Sequence, residues 1–275
     1  MTPGQAAEAR ISELGIADPR DLDVEAIAFD AGMTVEYEEL EGCEAMLVGV
    51  NDRAIATIRR SGVRGRERFS IGHELGHWEM HRGRSFTCRV DDPDRNLKSD
   101  KPLEKEADEY AAHLLMPSSL FNPAVKAIGR PGFKELDDLA GRFETSLLAT
   151  GIRLADIDTL PLTLACYSGE GLKWSKAAAH VPRRWWLHNN LDSDSFAFDL
   201  LNNGKRITSA RKQPAEVWYQ NADAEKYEIT EECMPGRAGE VIVLLYLSPS
   251  MFDARFDPDV GVRRYNDKGS YVKRK

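Results

Sequence analysis

The sequence is organised around one stretch, residues 66–81, which reads Arg-Glu-Arg-Phe-Ser-Ile-Gly-His-Glu-Leu-Gly-His-Trp-Glu-Met-His. It holds His73 and His77 four positions apart, with Glu74 directly after the first, which is the pattern H-E-x-x-H. Side chains four positions apart on a helix share one face, so both imidazoles can bind one metal ion. Glu74 then lies beside the ion, where a carboxylate can act as general base on a water molecule.

The residues around this motif indicate that it lies in a core. The predicted helix has an apolar face made of Phe69, Ile71, Leu75 and Trp78. Unpaired polar groups are costly inside a core. Two imidazoles and a carboxylate in that position therefore favour a metal site over a chance occurrence of the pattern.

A second helix, predicted from about Leu103 to Leu115, is expected to supply the third ligand, since a catalytic zinc keeps three protein ligands and one open position. At about 100° per residue, Glu104 and Asp108 lie at or beside the edge of its buried face, whereas Glu106 and Glu109 point away. We therefore expect Glu104 to bind the metal and Asp108 to accept a hydrogen bond from a ligand histidine. Glu106 is expected to meet water. The buried face consists of Ala107, Tyr110, Ala111, Leu114 and Leu115.

Two other histidines lie close to these helices in the sequence. His81 follows His77 by four positions and is interpreted as a surface or packing residue. His113 falls off the buried face of the second helix and is expected to be exposed to solvent.

Length and composition describe an ordinary globular protein. With 275 residues, 42% hydrophobic and 30% charged, the chain is long enough for two domains. No two of its four cysteines form a C-x-x-C pair, which argues against a cysteine zinc site and favours free thiols in a reducing cytoplasm. The first residues do not resemble a signal peptide, and the run Val241–Leu247 is too short to span a bilayer. We expect a cytoplasmic protein without a membrane segment.

Charge is unevenly distributed along the chain. The net charge is −8, the first 50 residues hold twelve acidic and two basic residues, and the last 13 hold six basic residues and one acidic residue. Overall acidity argues against a general nucleic-acid binder. The basic tail is interpreted as a solvated end, with a nucleic-acid contact as the alternative.

The residues before the motif predict two helices and three strands. The helices run from Thr2-Pro3 to Gly15 and from about Asp21 to Asp30. The strands are Thr34–Tyr37, Ala45–Val50 and Ala54–Arg59, the last two joined by an Asn51-Asp52 turn. The strand just before the motif helix is expected to present an edge to an extended peptide. Residues 82–102 are predicted to be loop.

Two blocks of the sequence, residues 69–77 and residues 104–117, resemble the ImmA/IrrE metallopeptidases, and the resemblance covers about residues 25–157. The pattern from Glu104 to Asp108 also resembles other gluzincin-type peptidases, in which the glutamate is a ligand and the aspartate supports a histidine. The resemblance implies a zinc-dependent metallo-endopeptidase, with manganese as a substitute. It further implies cleavage of a specific intracellular helix-turn-helix repressor, which derepresses stress-response, mobile-element or toxin–antitoxin genes.

The resemblance continues into a short helix-turn-helix-like segment, residues 126–158. Its five basic and six acidic residues nearly cancel. Because DNA-binding elements need positive charge against phosphates, this balance favours packing against the peptidase core over reading a major groove.

The fold class we expect is α+β. A zincin-like metallopeptidase core at residues 1–125 is followed by the helix-turn-helix-like segment at 126–158 and a C-terminal α+β domain at 159–275, sensory or substrate-binding. The strands predicted in that last domain are Leu160–Tyr167, Trp174–Ala178, Ala215–Tyr219, Lys226–Thr230 and Glu240–Leu247.

A rival hypothesis is a non-catalytic transcription regulator, or a toxin–antitoxin binding module, on a peptidase fold. It leaves Glu74 without a role, since this residue is not a predicted metal ligand.

Overall fold

In a computed structural model the chain divides into two compact units, Met1–Gly129 with Leu136–Arg153, and Arg130–Glu135 with Leu154–Lys275. The structure describes residues 1–82, 86–88, 101–204, 209–237 and 239–252. In these parts of the chain no helix combines the length and the apolar character needed to cross a membrane.

The first unit combines a four-stranded sheet with helices. Its elements are α1 (Pro3–Glu13), α2 (Val24–Asp30), β1 (Met33–Glu38), β2 (Ala45–Val50), β3 (Arg53–Arg59), α3 (Arg64–Met80), β4 (Phe86–Cys88), α4 (Lys101–Leu115) and α5 (Ser118–Ile128). Two more helices, α6 (Phe133–Phe143) and α7 (Leu147–Asp156), lie mainly in this unit and fall where the helix-turn-helix-like segment was predicted.

The sheet of the first unit has the strand order β1-β3-β2-β4. β1 pairs with β3 in parallel, and β2 pairs antiparallel with β3 and β4. The predicted hairpin is confirmed, since Val50 lies opposite Arg53 and Asn51 in the turn has a φ of 55°.

The expectation of a free edge at the strand before α3 is wrong. That strand is β3, which pairs on both sides, so the outer strands among the described residues are β1 and β4. The predicted loop 82–102 also contains β4 and the start of α4, and the rest of it lies outside the described residues apart from Arg82. The sequence alone does not reveal that β1, which precedes the hairpin, pairs in parallel with β3.

Helix α3 is fixed by buried contacts to the elements that precede it. The Trp78 indole is 2% exposed and donates a hydrogen bond to the Ala31 carbonyl at 2.8 Å. On the sheet, Gly49 leaves room for this indole, because a Cβ there would lie 2.7 Å from its ring. At the other end of α3, Arg68 donates to the Leu22 carbonyl at 2.8 Å. These contacts fix the helix along its length.

Helices α3 and α4 approach each other closely where α3 carries glycine. A Cβ on Gly76 would lie 3.0 Å from the Ala107 Cα and 3.1 Å from the Ala107 carbonyl oxygen. One turn earlier, a Cβ on Gly72 would lie 3.3 Å from the Ala111 Cβ. Small residues on both helices therefore set the distance between their backbones.

A buried arginine ties α7 to the rest of the first unit. Arg153 is 2% exposed and donates hydrogen bonds to the Met116 carbonyl at 3.0 Å and the Ser118 hydroxyl at 2.9 Å. Its guanidinium also contacts the His113 ring at 2.9 Å and Glu8 of α1 at 3.4 Å. Burial opposes ionisation of Glu8, but its hydrogen bonds with His113 and Ser118 outweigh that effect and lower the pKa of the carboxyl.

The expectation that His113 is exposed to solvent is wrong. Its side chain is only 25% exposed, with one ring nitrogen 3.1 Å from Glu8. Gly4 of α1 lies so close that a Cβ there would meet the ring at 2.9 Å. The reason is that α1 packs on α4 and covers a face that a projection of α4 alone leaves to solvent.

The helices of the helix-turn-helix-like segment bury an apolar face in the first unit. The aromatic rings of Phe143 in α6 and Phe121 in α5 meet edge-on, 5.4 Å between centroids. Four residues of α6 are at most 3% exposed: Leu136, Leu139, Ala140 and Phe143.

The second unit holds an antiparallel sheet with the order β6-β5-β9-β8-β7. Its elements are β5 (Leu162–Ser168), β6 (Gly171–Ala177), α8 (Phe196–Asn203), β7 (Arg211–Pro214), β8 (Glu228–Pro235) and β9 (Glu240–Leu247). The prediction of a strand at Ala215–Tyr219 is wrong. Residues Ala215–Val217 form a 3-10 turn, and the residues that follow, Trp218 and Tyr219, are buried by tertiary packing. A short apolar run without a regular period does not distinguish these structures.

Gly76→Ala tests the close approach of the two helices. Alanine gains about 1 kcal/mol of helix propensity over glycine, but overpacking a closed contact costs about 1–3 kcal/mol. We expect net destabilisation, measured as a lower free energy of unfolding in urea.

Gly141→Ala is the matched control, because Gly141 also lies in a helix but a Cβ there meets nothing within 4 Å. This variant should be unchanged or more stable by up to about 1 kcal/mol. Equal stability of the two variants would contradict a tight helix contact at Gly76.

Candidate metal centre

Three side chains from α3 and α4 converge on one point. The Nε2 atoms of His73 and His77 lie 3.1 Å apart. The Glu104 carboxylate reaches them from α4, with Oε2 3.3 Å from His73 Nε2 and Oε1 3.4 Å from His77 Nε2. This group could hold a metal ion. The structure thus brings together the three residues that the sequence singled out as ligands.

Hydrogen bonding determines which nitrogen of His73 faces the centre with a lone pair. The His73 Nδ1 atom lies 2.9 Å from the Asp108 carboxylate, which accepts hydrogen bonds. Nδ1 of a neutral His73 therefore carries the proton, and its Nε2 presents a lone pair toward His77 and Glu104. A cation bound between these atoms would be coordinated by the lone pair of His73 Nε2 and by the Glu104 carboxylate.

The distances fit a small divalent ion with nitrogen and oxygen ligands. Two ligands of a tetrahedral zinc, at bond lengths of about 2.0–2.1 Å, lie about 3.3–3.4 Å from each other. The three separations among His73, His77 and Glu104 are 3.1, 3.3 and 3.4 Å. Two imidazoles and one carboxylate are also one of the donor sets that catalytic zinc sites use.

The electrostatics of the cluster favour the protonation states that bind a cation. Burial lowers the pKa of His77, and this effect exceeds the opposing attraction of Glu104, so the imidazole tends to be neutral. For Glu104, burial raises the pKa, but the contacts with His73 and His77 outweigh it and the net effect is a lowered pKa. Neutral imidazole and ionised carboxylate are the forms that coordinate metals.

Glu74 follows His73 on α3 and is completely buried, with an exposure of 0%. The sequence placed this carboxylate beside the metal, as a base rather than as a ligand. The structure keeps it inside the protein on the helix that carries both histidines.

His81 and Glu106 extend the cluster beyond the predicted site residues. The His81 side chain is 7% exposed, with Nδ1 3.1 Å from Nδ1 of His77 and Nε2 2.8 Å from a Glu106 oxygen. Glu106 is 45% exposed and so meets water as expected, but it also contacts His81, which the sequence did not predict. The helical projection missed this contact because a glutamate side chain is long and His81 lies just past the end of α3.

These features of the fold and the site define a class of protein. A helix bearing H-E-x-x-H, a glutamate from the next helix and a mixed sheet beside them are typical of zincin-like metallopeptidases. Residues 30–155 match the family Peptidase_M78, described as the IrrE N-terminal-like domain. This match confirms the resemblance drawn from the sequence for residues 30–155. The chain therefore carries a domain of a metallopeptidase family.

A solved structure shares the fold over most of the chain. The "Mycobacterium tuberculosis transcriptional regulator" is 15% identical, with a TM-score of 0.58, and the match covers 91% of this chain and 89% of that chain. At this identity the likeness shows a common α+β fold. A comparison with curated proteins gave no match.

Glu104→Gln and Glu106→Gln distinguish a ligand from its neighbour on the same helix. Protein purified without chelator should contain about one divalent ion per chain. Glu104→Gln should lose most of it, because a neutral amide is a weaker ligand than a carboxylate. Glu106→Gln should keep the ion and stay within about 0.5 kcal/mol of wild-type stability. Elemental analysis and urea unfolding measure the two quantities.

Asp108→Asn serves as an intermediate case in the same measurement. It should weaken metal binding about 10- to 100-fold, as changes to the support of a ligand histidine do. A metal-free Glu106→Gln protein together with a normal Glu104→Gln protein would reverse the assignment.

Proposed function

We propose that this chain is a metal-dependent endopeptidase with zinc held by His73, His77 and Glu104, and with manganese able to substitute. The observation that carries this proposal is the convergence of the three ligand atoms, with a fully buried Glu74 directly after His73 in the sequence, in residues that match a metallopeptidase family.

The residues of the site take complementary roles in peptide hydrolysis. When bound by these residues, the ion would act as a Lewis acid that polarises a carbonyl, and it would lower the pKa of a water molecule to about 7. Glu74 accepts the proton of the attacking water on a carboxylate oxygen and delivers it to the nitrogen of the leaving amine. Its burial keeps bulk water away, so that the proton stays within the site. Asp108 holds His73 in the orientation and tautomer that a ligand needs.

The substrate we propose is a specific intracellular protein, a helix-turn-helix transcriptional repressor. This part of the proposal is supported by the resemblance to ImmA/IrrE peptidases. Cleavage of such a repressor would derepress stress-response, mobile-element or toxin–antitoxin genes.

The second candidate is a transcription regulator, or a toxin–antitoxin module, that acts by binding on a peptidase fold. Its support is that a solved structure with this fold is described as a transcriptional regulator. Against it stands Glu74, since that scheme gives no catalytic role to the glutamate of the H-E-x-x-H pattern, which is fully buried.

Glu74→Gln separates these two candidates. An amide is a poor proton acceptor, so this variant should keep its metal but lose cleavage activity. The assay incubates the purified protein, with and without chelator, with the repressors encoded beside its gene and examines cleavage by electrophoresis and mass spectrometry.

Cleavage by the wild-type protein alone, abolished by chelator, is the result we expect. Loss of metal from Glu74→Gln would make Glu74 a ligand and contradict its assigned role. Full derepression of the target genes in cells that carry Glu74→Gln would instead favour the regulator that acts by binding.

A further inference from the structure

Both histidines of the candidate metal centre have their second ring nitrogen held by another side chain, but in different ways. Nδ1 of His73 meets the Asp108 carboxylate directly, at 2.9 Å. Nδ1 of His77 meets Nδ1 of His81 at 3.1 Å, and Nε2 of His81 meets Glu106 at 2.8 Å. The second histidine is thus connected to a carboxylate through an intervening imidazole.

The hydrogen bonds of this chain have one consistent direction when Nε2 of His77 binds a cation. A coordinated Nε2 leaves the proton of neutral His77 on Nδ1, which then donates to Nδ1 of His81. A neutral His81 that accepts on Nδ1 carries its own proton on Nε2, from which it donates to Glu106. A carboxylate accepts only, so it suits the end of such a chain.

The position of His81 is fixed by more than its ring nitrogens. It follows the last residue of α3, and its backbone N–H donates to the carbonyl of His77 at 2.8 Å. The two imidazole rings lie 5.3 Å apart between centroids, and the side chain of His81 is 7% exposed. Backbone and ring contacts therefore hold His81 against the histidine that it supports.

We propose that His81 is a positioning residue, which fixes the ring orientation and the tautomer of His77 with Glu106 as the terminal acceptor. This inference rests on the metal site of the proposed function. Helix α4 then supplies the three carboxylates that hold the metal or its histidines: Glu104 to the metal, Asp108 to His73, and Glu106 to His77 by way of His81. Groups that hold the outer nitrogen of a ligand histidine raise its basicity and affinity for metal.

His81→Phe and His81→Asn test this proposal as a pair. Phenylalanine keeps the ring and its packing but has no nitrogen. Asparagine loses the ring, yet it can place an oxygen near the position of Nδ1 and so accept the hydrogen bond of His77. A role in packing predicts that the Phe variant is nearer to wild type, whereas a role in positioning predicts that the Asn variant is.

The measurement is cobalt(II) affinity of the metal-free full-length chain, by competition with a chromophoric chelator, together with the visible spectrum of the bound cobalt. His81→Phe should lose about 10- to 100-fold in affinity and show an altered spectrum. His81→Asn should lie closer to wild type in both. Circular dichroism of the metal-free proteins checks that both variants are folded.

Glu106 provides a second pair that leaves the buried residues unchanged. Glu106→Ala removes the terminal acceptor and should weaken cobalt binding, whereas Glu106→Gln keeps an acceptor for His81 and should bind more tightly than the Ala variant. Both replacements affect a side chain that is 45% exposed, so the fold should persist even where a change at His81 perturbs it.

The outcomes distinguish this inference from the proposed function. Absence of cobalt binding by the wild-type protein would overturn the metal site itself. Wild-type binding with an unchanged His81→Phe, with an Asn variant no better than the Phe variant, or with equal affinities for Glu106→Ala and Glu106→Gln, would overturn the positioning role alone.

Discussion

The close contact between α3 and α4 is the constraint on which the rest of the centre depends. Gly72 and Gly76 face Ala107 and Ala111, and a Cβ on Gly76 would come within 3.0 Å of the opposing backbone. At that separation a glutamate side chain from α4 spans the gap to the histidines of α3. A larger residue would move the helices apart and carry Glu104 away from both imidazoles. Gly76, next to the second histidine, therefore helps to keep Glu104 within reach of both imidazoles.

A cluster of polar groups in a core is costly unless each group has a partner. His77 and Glu74 are 0% exposed, yet they lie on a helix whose other buried residues are mostly apolar. Most of these partners lie on α4. The carboxylates of Glu104 and Asp108 contact His73, and the carboxylate of Glu106 contacts His81. A divalent ion would neutralise the negative charge gathered there. The structure thus combines a tight apolar contact with a charged centre at its edge.

The sequence predicted those parts of the structure that depend on local periodicity. The helical face of α4 distinguished Glu104 from Glu106, and the hairpin turn at Asn51 followed from its neighbours. The missed features come from elements distant in sequence. His113 is covered because α1 packs on α4. β3 has no free edge because β1 pairs with it. His81, at the end of α3, contacts Glu106 of α4, and a projection of one helix does not show contacts with another helix.

Anomalous diffraction at the zinc absorption edge, from crystals of protein purified without chelator, would show whether an ion lies between α3 and α4. We expect one peak that lies about 2.0–2.2 Å from Nε2 of His73, Nε2 of His77 and a carboxylate oxygen of Glu104. A peak bound by other residues, or a fully zinc-loaded protein without a peak between these helices, would contradict the proposed metal centre.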